Sequence, residues 1–137
     1  MKEENLKIAI YCRVGSENQL AINEQEEKIK NYCKLLNYDI KKVYKDNGYS
    51  GRDNNRPAYK SMLKDLKSEK FNAILTISTD RITRNISELE EFFNDIKNHN
   101  CTFKSIKDKI DLDTASGKLF ARMIKIICNF GVDLDNE

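Results

Sequence analysis

Several residue types that build common functional sites are scarce in this sequence. Its 137 residues include one histidine, and the four cysteines are scattered without paired spacing. This pattern disfavours a zinc centre and indicates reduced thiols in a cytosolic protein. No apolar run is long enough to span a bilayer, and the acidic, strand-like start is unlike a signal peptide. The five glycines form neither a G-x-G-x-x-G motif nor a P-loop, so nucleotide-binding loops of these kinds are not predicted.

The remaining composition is that of one globular domain spanning residues 1–137, without repeats, linkers or low-complexity tracts. Hydrophobic residues make up 39% of the chain and charged residues 34%. Four short apolar runs are each followed by a segment with helical apolar spacing, so strands and helices alternate. This alternation predicts an α/β fold with a mostly parallel sheet of four to five strands, flanked by helices and ending in a long C-terminal helix. The strands are predicted at residues 6–13, 38–46, 72–78 and 101–106.

Charge is nearly balanced overall, but arginine is unevenly placed. The formal net charge is +2, so no global basic field announces a nucleic-acid partner. Lysine outnumbers arginine by eighteen to six, and four arginines lie at a strand end or in the loops that follow strands: Arg13, Arg56, Arg81 and Arg84. Only arginine offers a planar fork that grips phosphate or carboxylate in bidentate fashion. Salt bridges on a lysine-rich surface are the alternative, but these positions favour a functional role.

Three polar loops follow predicted strands, and ligands of open α/β sheets bind beyond the carboxyl ends of the strands. The loops are RVGSENQ, DNGYSGRDNNR and STDRITR. Together they contribute Arg13, Ser16, Gln19, Ser50, Arg56, Asp80, Arg81 and Arg84. Guanidinium groups that converge there repel one another unless an anion lies between them, which predicts a phosphate-binding crevice.

Some of these residues also have plain structural interpretations. Ser16 and Gln19 have the spacing of a capping box, and Ser50 precedes a glycine in what could be an ordinary turn. The carboxylates that come into question as metal ligands are Asp46, Asp80, Asp111 and Asp113. Asp80 stands among cations and is interpreted as an arginine partner, and the last two as loop and cap residues. No metal site is therefore predicted.

The three loops resemble the signature segments of the serine recombinases, the resolvase and invertase family. YCRVGSENQ, DNGYSGRDNNRP and STDRITRN occur in the family order and with compatible spacing, within a resemblance that covers about residues 6–130. The CRV opening and the D-x-G-x-S-G form of the second loop are most similar to the large integrase and transposon branch. The part of the family that the chain resembles is the N-terminal catalytic domain.

The resemblance implies DNA cleavage that needs neither a metal nor any other cofactor. A serine hydroxyl attacks a phosphodiester, which leaves a 5′-phosphoserine link and a free 3′-hydroxyl before strand rotation and religation. Preorganised cations supply the charge stabilisation in such a transfer. By the motif match, the phosphate would be held by Arg13, Arg56, Arg81 and Arg84. Asp80 would orient an arginine or assist proton transfer, and Gln19 and Ser50 would form hydrogen bonds within the site.

The sequence departs from the family pattern at the residue that carries the chemistry. The family places its nucleophilic serine directly after Arg-Val, where this sequence has Gly15. Glycine offers no nucleophile, so the covalent step is predicted to be impaired or lost. Ser16 could replace it only after a one-residue shift of the loop, because neighbouring side chains at a strand end point in different directions. Two further departures are Ser78, where many members carry lysine, and the segment NFGVDLDNE, where they carry a glutamate.

The resemblance also implies partners. The family joins this domain to a separate DNA-binding module, which is expected to be absent here, so specific DNA binding is expected to be weak. The last predicted helix, at about 115–130, is apolar around much of its surface and is expected to mediate a homodimer or tetramer. We expect no membrane partner and no small-molecule cofactor. The expected location is the cytoplasm, with nucleoid association when DNA is bound.

Three functions are consistent with these patterns. The first is the catalytic domain of a site-specific DNA recombinase, impaired by Gly15. The second is a catalytically inactive homologue that acts in oligomerisation or in regulation of an active recombinase. The third is an unrelated α/β domain whose arginine pocket holds a small phosphorylated ligand. The four arginines separate the first two functions from the third, but not from each other.

Overall fold

The structure is a computed structural model that describes residues 6–50 and 55–130. Its strands are β1 (Lys7–Val14), β2 (Asp39–Asn47), β3 (Ala73–Thr76), β4 (Thr102–Ser105) and β5 (Ile110–Asp111). They form one sheet in the order β2-β1-β3-β4-β5. The first four strands are parallel, and β5 runs antiparallel to β4 at one edge. The predicted α/β fold with a mostly parallel sheet is confirmed.

The strands are connected by helices that begin at local sequence signals. The helices are α1 (Gln19–Leu35), α2 (Pro57–Lys67), α3 (Ile86–Asn98) and α4 (Ala115–Asn129). Pro57 occupies the first turn of α2, and the Asn85 side chain accepts a hydrogen bond from the first turn of α3. At the start of α1 the capping side chain is that of Asn18. The capping-box interpretation of Ser16 with Gln19 is therefore wrong, because the cap lies two residues later than Ser16.

The sheet separates two apolar cores, and β1 contributes to both. Ile10 and Cys12 pack with Ile29 of α1 on one face. Ala9 and Tyr11 pack on the other face in the core that includes Phe92 of α3. This alternation is that of a strand buried on both sides. β1 therefore lies in the middle of the molecule with packed side chains on both faces, and this packing supports the residues at its carboxyl end.

Gly48 and Gly117 each occupy a position that favours glycine, for different structural reasons. Gly48, in the loop after β2, has φ +93°, and its backbone N–H donates to the carbonyl of Val14 at 2.9 Å. This turn closes the second loop onto the end of β1. A Cβ on Gly117 would lie 1.8 Å from the carbonyl oxygen of Asp111, so α4 can approach β5 only with glycine there. Gly117 also donates its backbone N–H to the cap residue Thr114, which accounts for the SGKL segment as a helix start.

Some predicted features lie outside the described residues. These are positions 51–54 of the second loop and the terminal stretch 131–137, which includes Gly131 and most of the segment NFGVDLDNE. In the described part of the chain, no helix has the length and apolarity needed to cross a membrane.

Candidate phosphate-binding site

The loops after β1, β2 and β3 meet at one edge of the sheet, because these three strands are neighbours and parallel. The chain leaves β1 towards β2 on one side and returns to β3 on the other, which makes this edge a topological switch point. Five of the candidate residues lie there, at the end of β1, before α2 or in the turn after β3: Arg13, Gly15, Arg56, Asp80 and Arg81. The structure therefore brings these predicted residues to one edge of the sheet.

Arg13 is the central side chain of this edge, and only 2% of it is exposed. Its Nε donates to the carbonyl of Arg81 at 3.0 Å and its Nη2 to the carbonyl of Asp80 at 2.7 Å. Its Nη1 donates to the carbonyl of Tyr49 at 3.0 Å. Burial, and after it the nearby guanidinium groups of Arg81 and Arg56, lower the pKa of Arg13. The side chain thus joins the loops after β2 and β3 to the end of β1.

Arg56 precedes α2 and is also buried. Its guanidinium carbon lies 4.0 Å from the centroid of the Tyr59 ring, a cation–π contact. Its Nη1 donates to the hydroxyl of Tyr11 at 3.2 Å and to the carbonyl of Arg81 at 3.3 Å. Arg13 and Arg56 therefore bind the same carbonyl oxygen, which brings the two cations together at the base of the site.

Tyr11 and Asp46 belong to the same network, although Tyr11 was not a predicted site residue and Asp46 was considered only as a candidate metal ligand. The Tyr11 hydroxyl donates to Oδ2 of Asp46 at 2.7 Å. The Asp46 carboxylate also accepts the backbone N–H groups of Ala58 at 2.8 Å and Tyr59 at 3.0 Å, so it binds the first turn of α2. Burial raises the pKa of Tyr11, and the hydrogen bond to Asp46 raises it further. The hydroxyl therefore stays protonated and holds Arg56 next to Asp46.

Asp80 and Arg81 lie on a single 3₁₀ turn, Thr79–Arg81. The Asp80 Oδ1 accepts the hydroxyl of Ser78 and lies 3.8 Å from Nε of Arg81. Nη1 of Arg81 donates to the carbonyl of Arg13 at 3.3 Å, whereas its buried Nε has no hydrogen-bond partner among the described residues. Asp80 and Arg81 are thus an ion pair, and the side chain of Arg81 is 28% exposed.

The 3₁₀ turn is held by a residue that the sequence analysis did not identify. Oδ2 of Asp108 accepts the backbone N–H of Thr79 at 3.0 Å, and its Oδ1 accepts the hydroxyl of Ser105. The hydrogen bonds from Ser105 and Thr79 outweigh partial burial and lower the pKa of Asp108. Asp108 therefore ties the loop between β4 and β5 to the turn that carries Asp80. No local pattern announces this contact, since the residues are separated by 29 positions.

Gly15 lies two residues beyond Arg13, at an exposed point of the first loop. Its φ is outside the left-handed region, and a Cβ placed on it would meet nothing within 4 Å. The backbone and the space around it therefore accept the Cβ of a serine. Ser16, next to it, is exposed as well.

The remaining candidates lie at the rim of the site. Oε1 of Gln19 accepts from Asn47 at 3.3 Å, and its Nε2 donates to Asn23 at 3.0 Å, so it links α1 to the end of β2. Ser50 and Arg84 are exposed on the second and third loops. Gln25, which was not predicted, brackets the backbone of Arg13 by accepting its N–H at 3.2 Å and donating to its carbonyl at 2.8 Å.

Three of the four carboxylates considered as metal ligands, Asp46, Asp80 and Asp111, have partners within the protein. Asp46 binds the first turn of α2, and Asp111 accepts from the ammonium of Lys104 at 2.6 Å and from the backbone N–H of Asp113 at 2.9 Å. Among residues 6–50 and 55–130 there is no group of three histidine, cysteine, aspartate or glutamate side chains suited to a metal ion. The charges that gather at the edge are thus cationic, and they suit an anion.

The geometry and the family comparison define the class of this protein. The family model described as the N-terminal domain of resolvases matches residues 8–137, which is nearly the whole chain. The chain belongs to this family, the serine recombinase catalytic domains.

Individual proteins and structures agree with this assignment. The structure of the catalytic domain of TP901-1 integrase is similar with a TM-score of 0.85 and 28% identity, over 91% of this chain and 96% of that one. A resolvase family recombinase from Streptococcus pneumoniae shares the fold, with a TM-score of 0.80 and 22% identity over 93% of this chain and 88% of that one.

Two curated proteins are similar over parts of the sequence. A probable DNA-invertase of Sinorhizobium fredii is 28% identical over 107 residues, which are 78% of this chain and 32% of the invertase. The chain thus spans about a third of the length of that relative. Uncharacterized immunity region protein 3 of Bacillus phage phi105 is 38% identical over 64 residues, which are 44% of this chain and 78% of the phage protein.

Proposed function

We propose that this chain is a recombinase-type domain that binds the DNA backbone at its arginine cluster but is impaired in strand cleavage. The observation that carries the proposal is Gly15, which stands in open space at the end of β1 beside buried Arg13. In the reaction that the resemblance implies, a hydroxyl at this position would attack the phosphorus and displace the 3′-oxygen. A protein without that hydroxyl keeps the cations and loses the attacking group.

The four arginines differ in burial, which suggests that they have different roles. Nε, Nη1 and Nη2 of Arg13 all donate to backbone carbonyls. Arg56 lies between aromatic rings and the loop that contains Arg81. We assign both to positioning and to the positive potential of the site. Arg81, whose side chain is 28% exposed, and the exposed Arg84 would contact the phosphate directly. Asp80 would orient Arg81, while Ser16, Gln19 and Ser50 would line the approach of the DNA.

DNA binding gives a test of this assignment. Each phosphate contact that is lost should make the slope of log affinity against log salt shallower by about 1. We expect this for Arg81→Gln and for Arg84→Gln, measured by fluorescence anisotropy on a duplex with the chain fused to a sequence-specific DNA-binding module. Lys64→Gln, which removes an exposed cation of α2, is the control and should leave the slope unchanged. Identical slopes for all of these variants would contradict phosphate binding at the cluster.

A second candidate function is supported by separate observations. The missing nucleophile and the 38% identity to an immunity region protein of a phage favour a homologue that acts without cleavage, by oligomerisation or regulation. Its partner surface would be α4, whose exposed side is apolar, in a homodimer or tetramer. Both functions imply action on DNA, or on a protein that acts on DNA, in the cytoplasm and at the nucleoid. They differ in whether restoring a serine restores cleavage.

A further inference from the structure

A cavity of about 500 Å³ lies between α3 and α4, and it shares no lining residue with the arginine cluster. Ligand pockets of proteins commonly have volumes of roughly 300–1,000 Å³, so this one is large enough for a small organic molecule. Because the cavity lies apart from the arginine cluster, it is a second place where a ligand could bind.

The two helices that form the cavity run antiparallel. Sγ of Cys128, near the end of α4, lies 3.8 Å from the carbonyl of Ile86, the first residue of α3. Farther along, the rings of Phe93 and Phe120 are 6.0 Å apart. The last turn of α3, with Lys97, is therefore beside the first turns of α4, with Lys118.

The walls of the cavity are predominantly cationic. Four lining residues carry a positive charge and two carry a negative one, Glu90 and Asp113. The positive residues are Lys97, Lys118, Arg122 and Lys125. The last three are spaced four and three residues apart, so they follow one face of α4. Within the described residues, no ion pair joins any of these four cations to a carboxylate, so an anion entering the cavity would not have to displace one.

The floor of the cavity is apolar with one polar exception. Phe93 and Ile96 of α3 and Leu112 and Ala121 on the opposite side supply the apolar surface. Thr102 also lines the cavity, and it is more than nine-tenths buried with a hydroxyl that has no hydrogen-bond partner among the described residues. The hydroxyl oxygen has almost no accessible surface, however, so a ligand in the cavity does not reach it.

We propose that the cavity binds a small phosphorylated ligand with an apolar ring, of the mononucleotide class. The cations along α4 and at the end of α3 match the phosphate, and Arg122 can bind it with two nitrogens. The apolar floor beside Phe93 matches a ring. The size of the cavity fits one nucleotide. The proposal is independent of the proposed recombinase function, because it uses none of the residues that face the DNA.

Thermal-shift measurements with AMP and GMP as probes test the proposal. We expect a saturable rise in the Tm of the full chain with at least one of them. Adenosine, which lacks the phosphate, and inorganic phosphate, which lacks the ring, are the matched probes. Both should shift the Tm much less at the same concentration, because each reaches only one part of the cavity.

Two variants localise the binding. The double charge reversal Lys118→Glu with Arg122→Glu should weaken nucleotide binding by about tenfold or more, since hydrogen bonds to charged groups contribute this much. Lys60→Glu with Lys64→Glu reverses two exposed cations of α2 at the same spacing and should bind as the unchanged protein does. Ala121→Leu fills the floor without changing charge and should also abolish the shift.

Several results would overturn the proposal. They are no shift with either nucleotide at millimolar concentration, an equal shift with inorganic phosphate, and equal binding by the two double variants. Loss of the shift in Arg81→Gln, with retention in Lys118→Glu/Arg122→Glu, would also overturn it, because it would place the nucleotide at the arginine cluster.

Discussion

Arg13 lies at the centre of the site, yet its guanidinium faces the protein's own backbone. At the scale of single residues, the motif that names Arg13 as a phosphate ligand does not reveal that three carbonyls on two loops already surround it. A lysine would keep the charge but would replace this fork by a single nitrogen. Arg13 therefore holds the two loops in place as well as contributing positive charge to the site.

We expect Arg13→Lys to lower the free energy of unfolding by about 2–4 kcal/mol, because it leaves buried carbonyls without their charged donors. Urea unfolding followed by circular dichroism measures this change. Arg84→Lys, at an exposed position of the third loop, is the matched control and should stay within about 0.5 kcal/mol of the unchanged protein. Equal losses in both variants would show that the backbone contacts of Arg13 contribute little.

Gly15 gives the opposite expectation at the same scale. Since a Cβ there meets nothing within 4 Å and the φ is ordinary, Gly15→Ser should unfold at the same or a slightly higher urea concentration. Gly117→Ser is the contrasting variant, because its Cβ would strike the carbonyl oxygen of Asp111. The free energy of unfolding of Gly117→Ser should fall by roughly 1–3 kcal/mol or more, as at other overpacked sites. A destabilised Gly15→Ser would mean that the first loop cannot carry a serine in this conformation.

At the scale of elements, the sequence predicts what local patterns determine and misses what distant contacts determine. Pro57 and Asn85 are local signals for helix starts, and α2 and α3 begin at these signals. The 3₁₀ turn and the two-residue β5 were not predicted, because Asp108 holds the turn and the pair Lys104 with Asp111 accompanies β5. These contacts join residues on separate segments, so no local periodicity in the sequence predicts them.

The candidate site divides in the same way. Its arginines could be identified from their types and spacing, and the comparison with solved relatives confirms the family to which they point. Tyr11 was not identified as a site residue, since a tyrosine in an apolar strand is typical of a core residue, and Asp46 was considered only as a candidate metal ligand. The one signal that could have found them is that Asp46 opens the D-x-G-x-S-G segment at the end of β2. A buried carboxylate at a strand end needs a partner.

Asp65 links α2 to β2 and gives a prediction at the element scale. Its Oδ2 accepts the hydroxyl of Tyr44 at 2.6 Å, and this hydrogen bond, followed by Lys70 and Lys42, lowers the pKa of Asp65. A carboxyl whose folded-state pKa is depressed stabilises the fold above its unfolded pKa of about 3.9, and this contribution is lost as the pH falls through the folded value.

Asp65→Asn should therefore be less stable than the unchanged protein at pH 7, and the difference should disappear as the pH drops below about 4. Urea unfolding at pH 7, 4 and 3 measures it. Asp39→Asn, which removes an exposed partner of Lys41, is the control and should show a small difference. A difference that persists or grows in acid would contradict the assigned direction of the pKa shift.

At the scale of the whole molecule, α4 has two unlike sides. Its inner side contributes Ile124 to the core and Phe120 to the contact with α3. Its outer side carries large apolar residues with exposed fractions between 52% and 79%: Leu119, Met123, Ile126 and Phe130. They recur every three to four residues and form one stripe, which is typical of a helix that pairs with another copy or a partner.

Self-association through this stripe should therefore be sensitive to charge. Ile126→Lys should reduce the sedimentation mass towards that of a monomer at concentrations where the unchanged chain associates. Leu35→Lys places the same charge on an equally apolar residue of α1 that is 85% exposed, and it should not alter the mass. Monomers at all concentrations for the unchanged chain, or equal effects of the two variants, would contradict assembly through α4.

The central claim is that the chain keeps a phosphodiester site from which the attacking hydroxyl is missing. Its most direct test is the covalent protein–DNA product, measured on a denaturing gel after incubating duplex DNA with the chain fused to a DNA-binding module. We predict no product for the unchanged protein and for Gly15→Ala, and a product linked through a 5′-phosphoserine for Gly15→Ser. A product from the unchanged protein, or none from a folded and DNA-bound Gly15→Ser, would contradict the claim.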